Sequence, residues 1–331
     1  MTGAKRLSVA VVQGGPSAEA EVSRASAKGV AKALVEAGHS VVRLELDAFL
    51  GETLRTGGYD VVFPAVHGAV GEDGALQGLL EVLALPYVGS DVVASALAMH
   101  KRVARILFER AGLPTAKGTD VRRGDARASA ERMRREIGPR LVVKPSSQGS
   151  AIGVARLEAD ATTGDVAEAL EAVWAIDDYA IVEHFARGRE VTCGILDLGH
   201  AEALPLTEII SPNDAFYTYE ARYAPGRSVH ECPADLPAAL AARVREVAVL
   251  AHEALGCRDL SRVDFVVGDD LAPSEITLLE VNTLPGMTAT SLYPEAAAAH
   301  GLPMARLCES LALHAHARGP TRRIDARPLP R

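Results

Sequence analysis

The chain has 331 residues, with 35 Lys plus Arg against 43 Asp plus Glu, a formal net charge of −8. Hydrophobic residues make up 48% and charged residues 24%, which excludes a fibre or a mainly disordered chain. No apolar run approaches the ~18–20 residues of a membrane helix, and the acidic balance argues against general nucleic-acid binding. The length suggests two or three compact units. Cys193, Cys232, Cys257 and Cys308 are far apart and form no C-x-x-C pair, so reduced structural thiols in a cytosolic protein are expected. Only 6 of the basic residues are Lys, so the position of each is informative.

In chain order, "LSVAVVQGG" reads as a buried strand, followed by a helix from Ala18 to about Ala37 that Gly38 closes. "SVVRLEL" and "YDVVFPAVHG" read as further strands and "GALQGLLEVLAL" as a helix. Alternating strands and helices predict a parallel sheet covered on both faces, with ligands at the C-terminal strand ends. Those ends carry Gly14–Glu19 and His67-Gly68. A second unit opens near Asp91 with one long predicted helix, "DVVASALAMHKRVARILFERAGLP", then an Arg-rich helical stretch from Gly124 to Ile137. "RLVVKPSSQGSAIGVARL" predicts two strands about a glycine-rich connection, and a helix from Thr163 to Trp174 leads to the strand "YAIVEHF". The last third holds strand "REVTCGIL", an irregular stretch "SPNDAFYTYEARYAPG" and a helix from Pro237 to Leu255. Strands "SRVDFVVG" and "ITLLEVN", a loop and a final helix complete it. From Arg318 onward, five Arg, three Pro and one Gly predict a disordered tail.

The chemistry concentrates in a few places. Side chains two apart on a strand share a face, so Arg262 with Asp264, and Glu280 with Asn282, point the same way. If the two strands are neighbours, their shared face offers oxygen ligands without His or Cys, which suits Mg²⁺; a salt-bridge network without metal is the alternative. In "KPSSQGSAIG" backbone N–H groups can wrap phosphate oxygens while Lys144 supplies charge, although a plain hairpin has the same look. Lys101 lies on the preceding helix, so two of the scarce Lys flank this loop. Glu183 and Glu190 flank a strand end and either accept from a ribose or adenine or are surface carboxylates. His67 is either a pocket donor or a satisfied turn residue.

Taken in order, "GGPSAEAEVS", "HGAVGEDGALQGLLE", "KPSSQGSAIG", "EHFARGREVT", "FYTYEARY", "SRVDF" and "LLEVNTLPGMTATSLYP" resemble the D-alanine–D-alanine ligase family of ATP-grasp enzymes, from about Val9 to Ala315. The resemblance implies an α/β, three-domain ATP-grasp architecture with a Rossmann-like parallel-sheet domain at the N-terminus. The expected divisions are 1–98 for that substrate domain and 99–189 for the central ATP-grasp domain. Residues 190–317 would form the metal and substrate domain and 318–331 the tail. It implies ATP contacts at Lys101, Lys144, Glu183 and Glu190, and ligands of two Mg²⁺ ions, for which Mn²⁺ can substitute, at Asp264, Glu280 and Asn282. Glu19 would hold the first substrate's ammonium group and, with Ser150 and Tyr223, close the active site. Arg262 and the Gly286 amide would form an oxyanion hole, Ser291 and Leu292 would contact the second amino acid, and His67 would line the first substrate's site. Arg222 stands where the family usually has Lys, on the loop over the γ-phosphate, and His100 where it usually has Asp; His100 is expected to be peripheral. The activity implied is joining of two D-alanine molecules through an acyl phosphate for peptidoglycan, in a cytoplasmic homodimer that binds neither nucleic acid nor membrane. The alternatives are an ATP-grasp ligase acting on another amino acid pair in secondary metabolism and a non-catalytic nucleotide-binding protein.

Overall fold

The computed structural model describes residues 5–210 and 229–320. The first unit contains β1 (Ser8–Gln13), α1 (Ala20–Glu36), β2 (Ser40–Glu45), α2 (Leu50–Thr56), β3 (Val61–Pro64) and α3 (Ala75–Val82). Its three strands run parallel in the order β2-β1-β3. Val9, Ala10, Val11 and Val12 of β1 are all fully buried, because helices cover both faces. One face packs Val9 and Val11 against Ala27, Val30 and Leu34 of α1, the other packs Ala10 and Val12 against Leu50, Leu54, Leu76 and Leu80. Gly38 ends α1 as expected: at φ +94° its N–H bonds to the Val35 carbonyl and the His39 N–H to that of Leu34. That left-handed turn strains any residue with a Cβ.

The predicted long helix is two. α4 (Val92–Met99) and α5 (Lys101–Arg110) meet at His100, whose φ of −90° and ψ of 81° leave the helical region. The cause is tertiary: Lys101 N–H donates 2.8 Å to the carbonyl of Ser146 in the glycine-rich connection, not to the preceding helical turn. An antiparallel sheet follows, ordered β4 (Gly118–Arg122), β7 (Tyr179–His184), β5 (Leu141–Pro145), β6 (Ala155–Leu157). Helices α6 (Ala126–Glu136) and α7 (Thr163–Trp174) bury Met133, Leu170, Val173 and Trp174 against it. α7 starts and stops where the sequence predicts, fixed by reciprocal capping between Thr162 and Asp165.

The third sheet is antiparallel, β10 (Val229–Glu231), β9 (Ala201–Ile210), β8 (Arg189–Asp197), β11 (Asp259–Val267), β12 (Ile276–Asn282). α8 (Ala238–Ala254) packs on it through Leu240, Val244, Val247 and Ala251. α2, β4, β9 and β10 go beyond the elements expected from the sequence, and the single final helix is in fact α9 (Leu292–Ala299) and α10 (Met304–Arg318). α10 returns to the first sheet, where Leu307, Leu311 and Ala315 join the cluster of Val9 and Val30. Arg318 ends α10 and pairs with buried Asp259, so the residue that opens the expected tail is helical and ion-paired. Cys193, Cys257 and Cys308 are buried free thiols, and burial pushes each up to about 12. Among the described residues no helix is long and apolar enough to cross a membrane.

Candidate active site

Two cavities lie side by side where the three sheets converge. The larger, about 490 Å³, is lined from the first unit by Glu19, His67 and Glu72 and from the glycine-rich loop by Ser150. Its far wall carries Arg262, Glu280, Asn282, Gly286, Ser291 and Leu292. The smaller, about 140 Å³, lies between the two antiparallel sheets and is lined by Lys144, Glu183, Glu190, Arg156, Phe185 and Asp264 among others. Lys101 and Glu280 border both cavities.

The strand register accounts for the wall between them. β11 and β12 are antiparallel neighbours with Arg262 opposite Asn282 and Asp264 opposite Glu280, so all four side chains share one sheet face. A bulge follows at once: the register shifts between Asp264 and Phe265, so that Phe265 lies opposite Leu278. Such bulges end regular pairing and re-aim side chains. The Arg262 guanidinium grips Asp264 through two bonds of 2.8 Å, from Nε to Oδ1 and from Nη2 to Oδ2. Thr192, opposite Asp264 on β8, donates to Oδ1 at 2.8 Å. Glu280 Oε2 lies 2.8 Å from Lys101 Nζ, which also donates 2.9 Å to the Gln148 carbonyl.

In the smaller cavity Lys144 Nζ is 2.6 Å from Glu183 Oε2. Both are nearly buried, at 9% and 8% exposure, so their charges interact with little screening. Glu190 accepts from Arg156 at 3.1 Å, and Arg156 stacks 4.7 Å above the Phe185 ring. In the larger cavity Glu19 stands at the N-cap position of α1 without a side-chain capping bond; the helix dipole there favours a carboxylate, and Ser150 donates to Glu19 Oε1. Ser150 and Ala151 adopt left-handed φ values of 50° and 57°, an uncommon conformation for residues with a Cβ. Gly286 cannot be replaced quietly, since a Cβ there would lie 2.8 Å from Ser291 Oγ. Ser291 Oγ in turn accepts from the Thr288 N–H at 3.0 Å and holds the turn.

Of the sixteen residues singled out from the sequence, fourteen border these two cavities; Arg222 and Tyr223 lie outside the described residues. His67 borders the larger cavity, yet both its ring nitrogens contact protein, Nε2 with Ser26 Oγ and Nδ1 with the Leu284 carbonyl. His100, expected to be peripheral, lines neither cavity, and its Nδ1 is 3.1 Å from Ser146 Oγ at the foot of the glycine-rich loop. The same foot is also held by Asp177, which accepts from Ser147 N–H and Oγ. Burial raises that carboxyl, but the Tyr179 N–H and the Ser147 hydroxyl and N–H outweigh it and hold Asp177 below its usual range. Sequence reasoning also missed Thr192, Arg156 and Glu72. The first is two residues from Glu190 on one strand, a spacing that could have revealed it. Glu72 is buried in the cavity wall, and burial raises its carboxyl although His67 opposes the shift. Among the described residues no three His, Cys, Asp or Glu side chains are clustered tightly enough to hold an ion alone.

The description "D-ala D-ala ligase C-terminus" matches residues 107–312, and "D-ala D-ala ligase N-terminus" matches residues 50–90. The chain is 45% identical over 294 residues to the D-alanine–D-alanine ligase of Parvibaculum lavamentivorans, covering 87% of this chain and 91% of that one. It superposes on the D-alanine–D-alanine ligase from Bacillus anthracis complexed with ATP with a TM-score of 0.79 at 28% identity, over 94% of this chain and 98% of that one. The VanG D-Ala:D-Ser ligase from Enterococcus faecalis gives 0.78 at 28% identity, over 94% and 100%. Two matching family descriptions and relatives alike along nearly the whole length place the chain in the D-alanine–D-alanine ligase family.

Proposed function

We propose that this chain joins two D-alanines into D-alanyl-D-alanine with conversion of ATP to ADP and phosphate, for peptidoglycan precursor synthesis. The observation that carries this reading is the meeting of the two cavities at Lys101 and Glu280. A nucleotide in the smaller cavity would bring its terminal phosphate to the edge of the larger, where an amino acid carboxylate would lie. The cytoplasm as location and a homodimer as assembly belong to the same proposal.

A carboxylate is a poor electrophile because oxide would have to leave. Transfer of the γ-phosphoryl group from ATP to the first D-alanine forms an acyl phosphate and releases ADP; attack by the second amine then expels phosphate. Lys144 and Lys101 supply positive charge to the phosphates, and Glu183 and Glu190 accept from the ribose and adenine. Glu19, oriented by Ser150, holds the first ammonium group. Arg262 and the Gly286 N–H stabilise the tetrahedral oxyanion, worth roughly 10²–10³ in rate for each such donor. Ser291 and Leu292 fix the second amino acid. Tyr223 and Arg222 are assigned to the loop that keeps water from the acyl phosphate, which hydrolyses readily.

Asp264, Glu280 and Asn282 fit Mg²⁺: the set is all oxygen, and Mg²⁺ uses one or two carboxylates and completes its shell from substrate phosphates and water. When bound by these residues, Mg²⁺ would offset the charge repulsion between the nucleotide and the carboxylate during transfer. On this reading Arg262 and Asp264, and Lys101 and Glu280, exchange their present partners for charges of substrate and ion.

The test is phosphate release and dipeptide formation with a panel of D- and L-amino acids and D-lactate. D-Alanine alone should give both products. Activity confined to another pair, or no ADP formation with any amino acid, would overturn the reading.

A further inference from the structure

A closed run of hydrogen bonds links the parallel-sheet unit to the turn that carries Gly286. Ser26, on α1, is fully buried. Its Oγ lies 3.1 Å from Met287 N and 3.0 Å from His67 Nε2. His67 Nδ1 lies 3.1 Å from the Leu284 carbonyl oxygen.

The chemistry of the groups sets each direction. An amide N–H only donates, so Met287 donates to Ser26 Oγ. A carbonyl only accepts, so His67 must carry a proton on Nδ1 and donate it to Leu284. The Ser26 hydroxyl then has one proton to place, and the acceptor within reach is His67 Nε2. A proton on Nε2 would leave the Ser26 O–H without an acceptor in a place closed to water, a costly arrangement. Glu72 Oε1, 3.8 Å from Nδ1, lies on the side that carries the proton.

We infer that Ser26 and His67 are positioning residues that aim the Gly286 N–H. They grip the turn at both ends, by the carbonyl of Leu284 and the amide of Met287, and Pro285 restricts the backbone between. Gly286 has no side chain by which to be held, so its direction depends on these grips. The imidazole acts through the turn, since both its nitrogens are taken by protein. The inference rests on the proposed oxyanion role of Gly286.

Two measurements test it. In enzyme labelled with ¹⁵N-histidine, His67 should show an N–H at Nδ1 and none at Nε2; an N–H at Nε2 overturns the hydrogen-bond run whatever the reaction. Ser26→Ala removes one oxygen atom and should lower dipeptide turnover at least tenfold. The KM for ATP, and the D-alanine-dependent scrambling of oxygen label within ATP that reports acyl phosphate formation, should stay within threefold. Turnover within threefold of the parent, or equal loss of scrambling and dipeptide, overturns the positioning role. Arg262→Met separates the two ideas: full turnover in that variant sinks the oxyanion reading, while the ¹⁵N result still decides the run itself.

Discussion

Arg262 is held against Asp264 by two bonds of 2.8 Å, with Thr192 on the same carboxylate. Methionine at 262 keeps an unbranched apolar stem, though a shorter one, and removes the charge and five donors. Arg262→Met should therefore remain folded by circular dichroism and lose dipeptide synthesis at least a hundredfold, the scale of one oxyanion donor. An unchanged turnover number excludes the assignment. Glu280→Gln preserves shape but removes the charge that pairs with Lys101 at 2.8 Å. The Mg²⁺ concentration for half-maximal ATP binding should rise by at least roughly tenfold, the loss that even an outer-shell partner produces. A titration that overlays the parent removes Glu280 from the metal site. At this scale the sequence was highly legible. Strand periodicity alone put Arg262, Asp264, Glu280 and Asn282 on common faces, and pairing of β11 with β12 joined the two pairs. Ser26 and His100 were not legible, because each acts through a contact with a residue distant in the chain.

Among the elements, α8 and β11 are joined by a buried polar contact. His252 Nδ1 lies 2.7 Å from Ser261 Oγ, and its Nε2 is 3.6 Å from Asp197 Oδ2. Burial holds the imidazole below its ordinary 6.5, and the Asp197 carboxylate offsets only part of that shift. Below about pH 6.5 the unfolded chain thus binds a proton that the folded protein resists, and stability falls as pH falls. The thermal midpoint should drop from pH 7 to pH 5 more steeply in the parent than in His252→Gln; equal slopes would show that this histidine does not set the acid limit. Amphipathic periodicity and capping placed most helices well, α7 to the residue. They ran α4 and α5 together because the break at His100 is made by Ser146, about 45 residues further on, and local pattern carries no trace of it.

Across the whole molecule, Asp259 joins parts that are far apart in sequence. It is 0% exposed and sits at φ 64°. Its carboxylate accepts from Gly89 N–H at 2.7 Å and from both terminal nitrogens of Arg318, which also donates 2.8 Å to the Tyr87 carbonyl. The first sheet's exit loop, the start of β11 and the end of α10 are thereby fixed to one another. Arg318→Ala leaves a buried charge without its counter-ion, which costs roughly 3 kcal/mol. Urea denaturation should report that loss; a change below about 1 kcal/mol would show that the Gly89 N–H and the His314 ring, whose Nε2 is 3.8 Å from Oδ1, suffice without Arg318.

The sequence by itself determined the α/β class, the parallel opening sheet, the family resemblance and the residue types that line both cavities. Those follow from short-range facts: the two-residue period of a strand, the 3.6-residue period of a helix, and several motifs in a fixed order. Tertiary structure alone decided that the two cavities meet at Lys101 and Glu280, and that α10 closes the first sheet. It also decided that a serine on the first helix holds the turn after β12. Each of these depends on groups brought together across a hundred or more residues, by burial that no local pattern encodes.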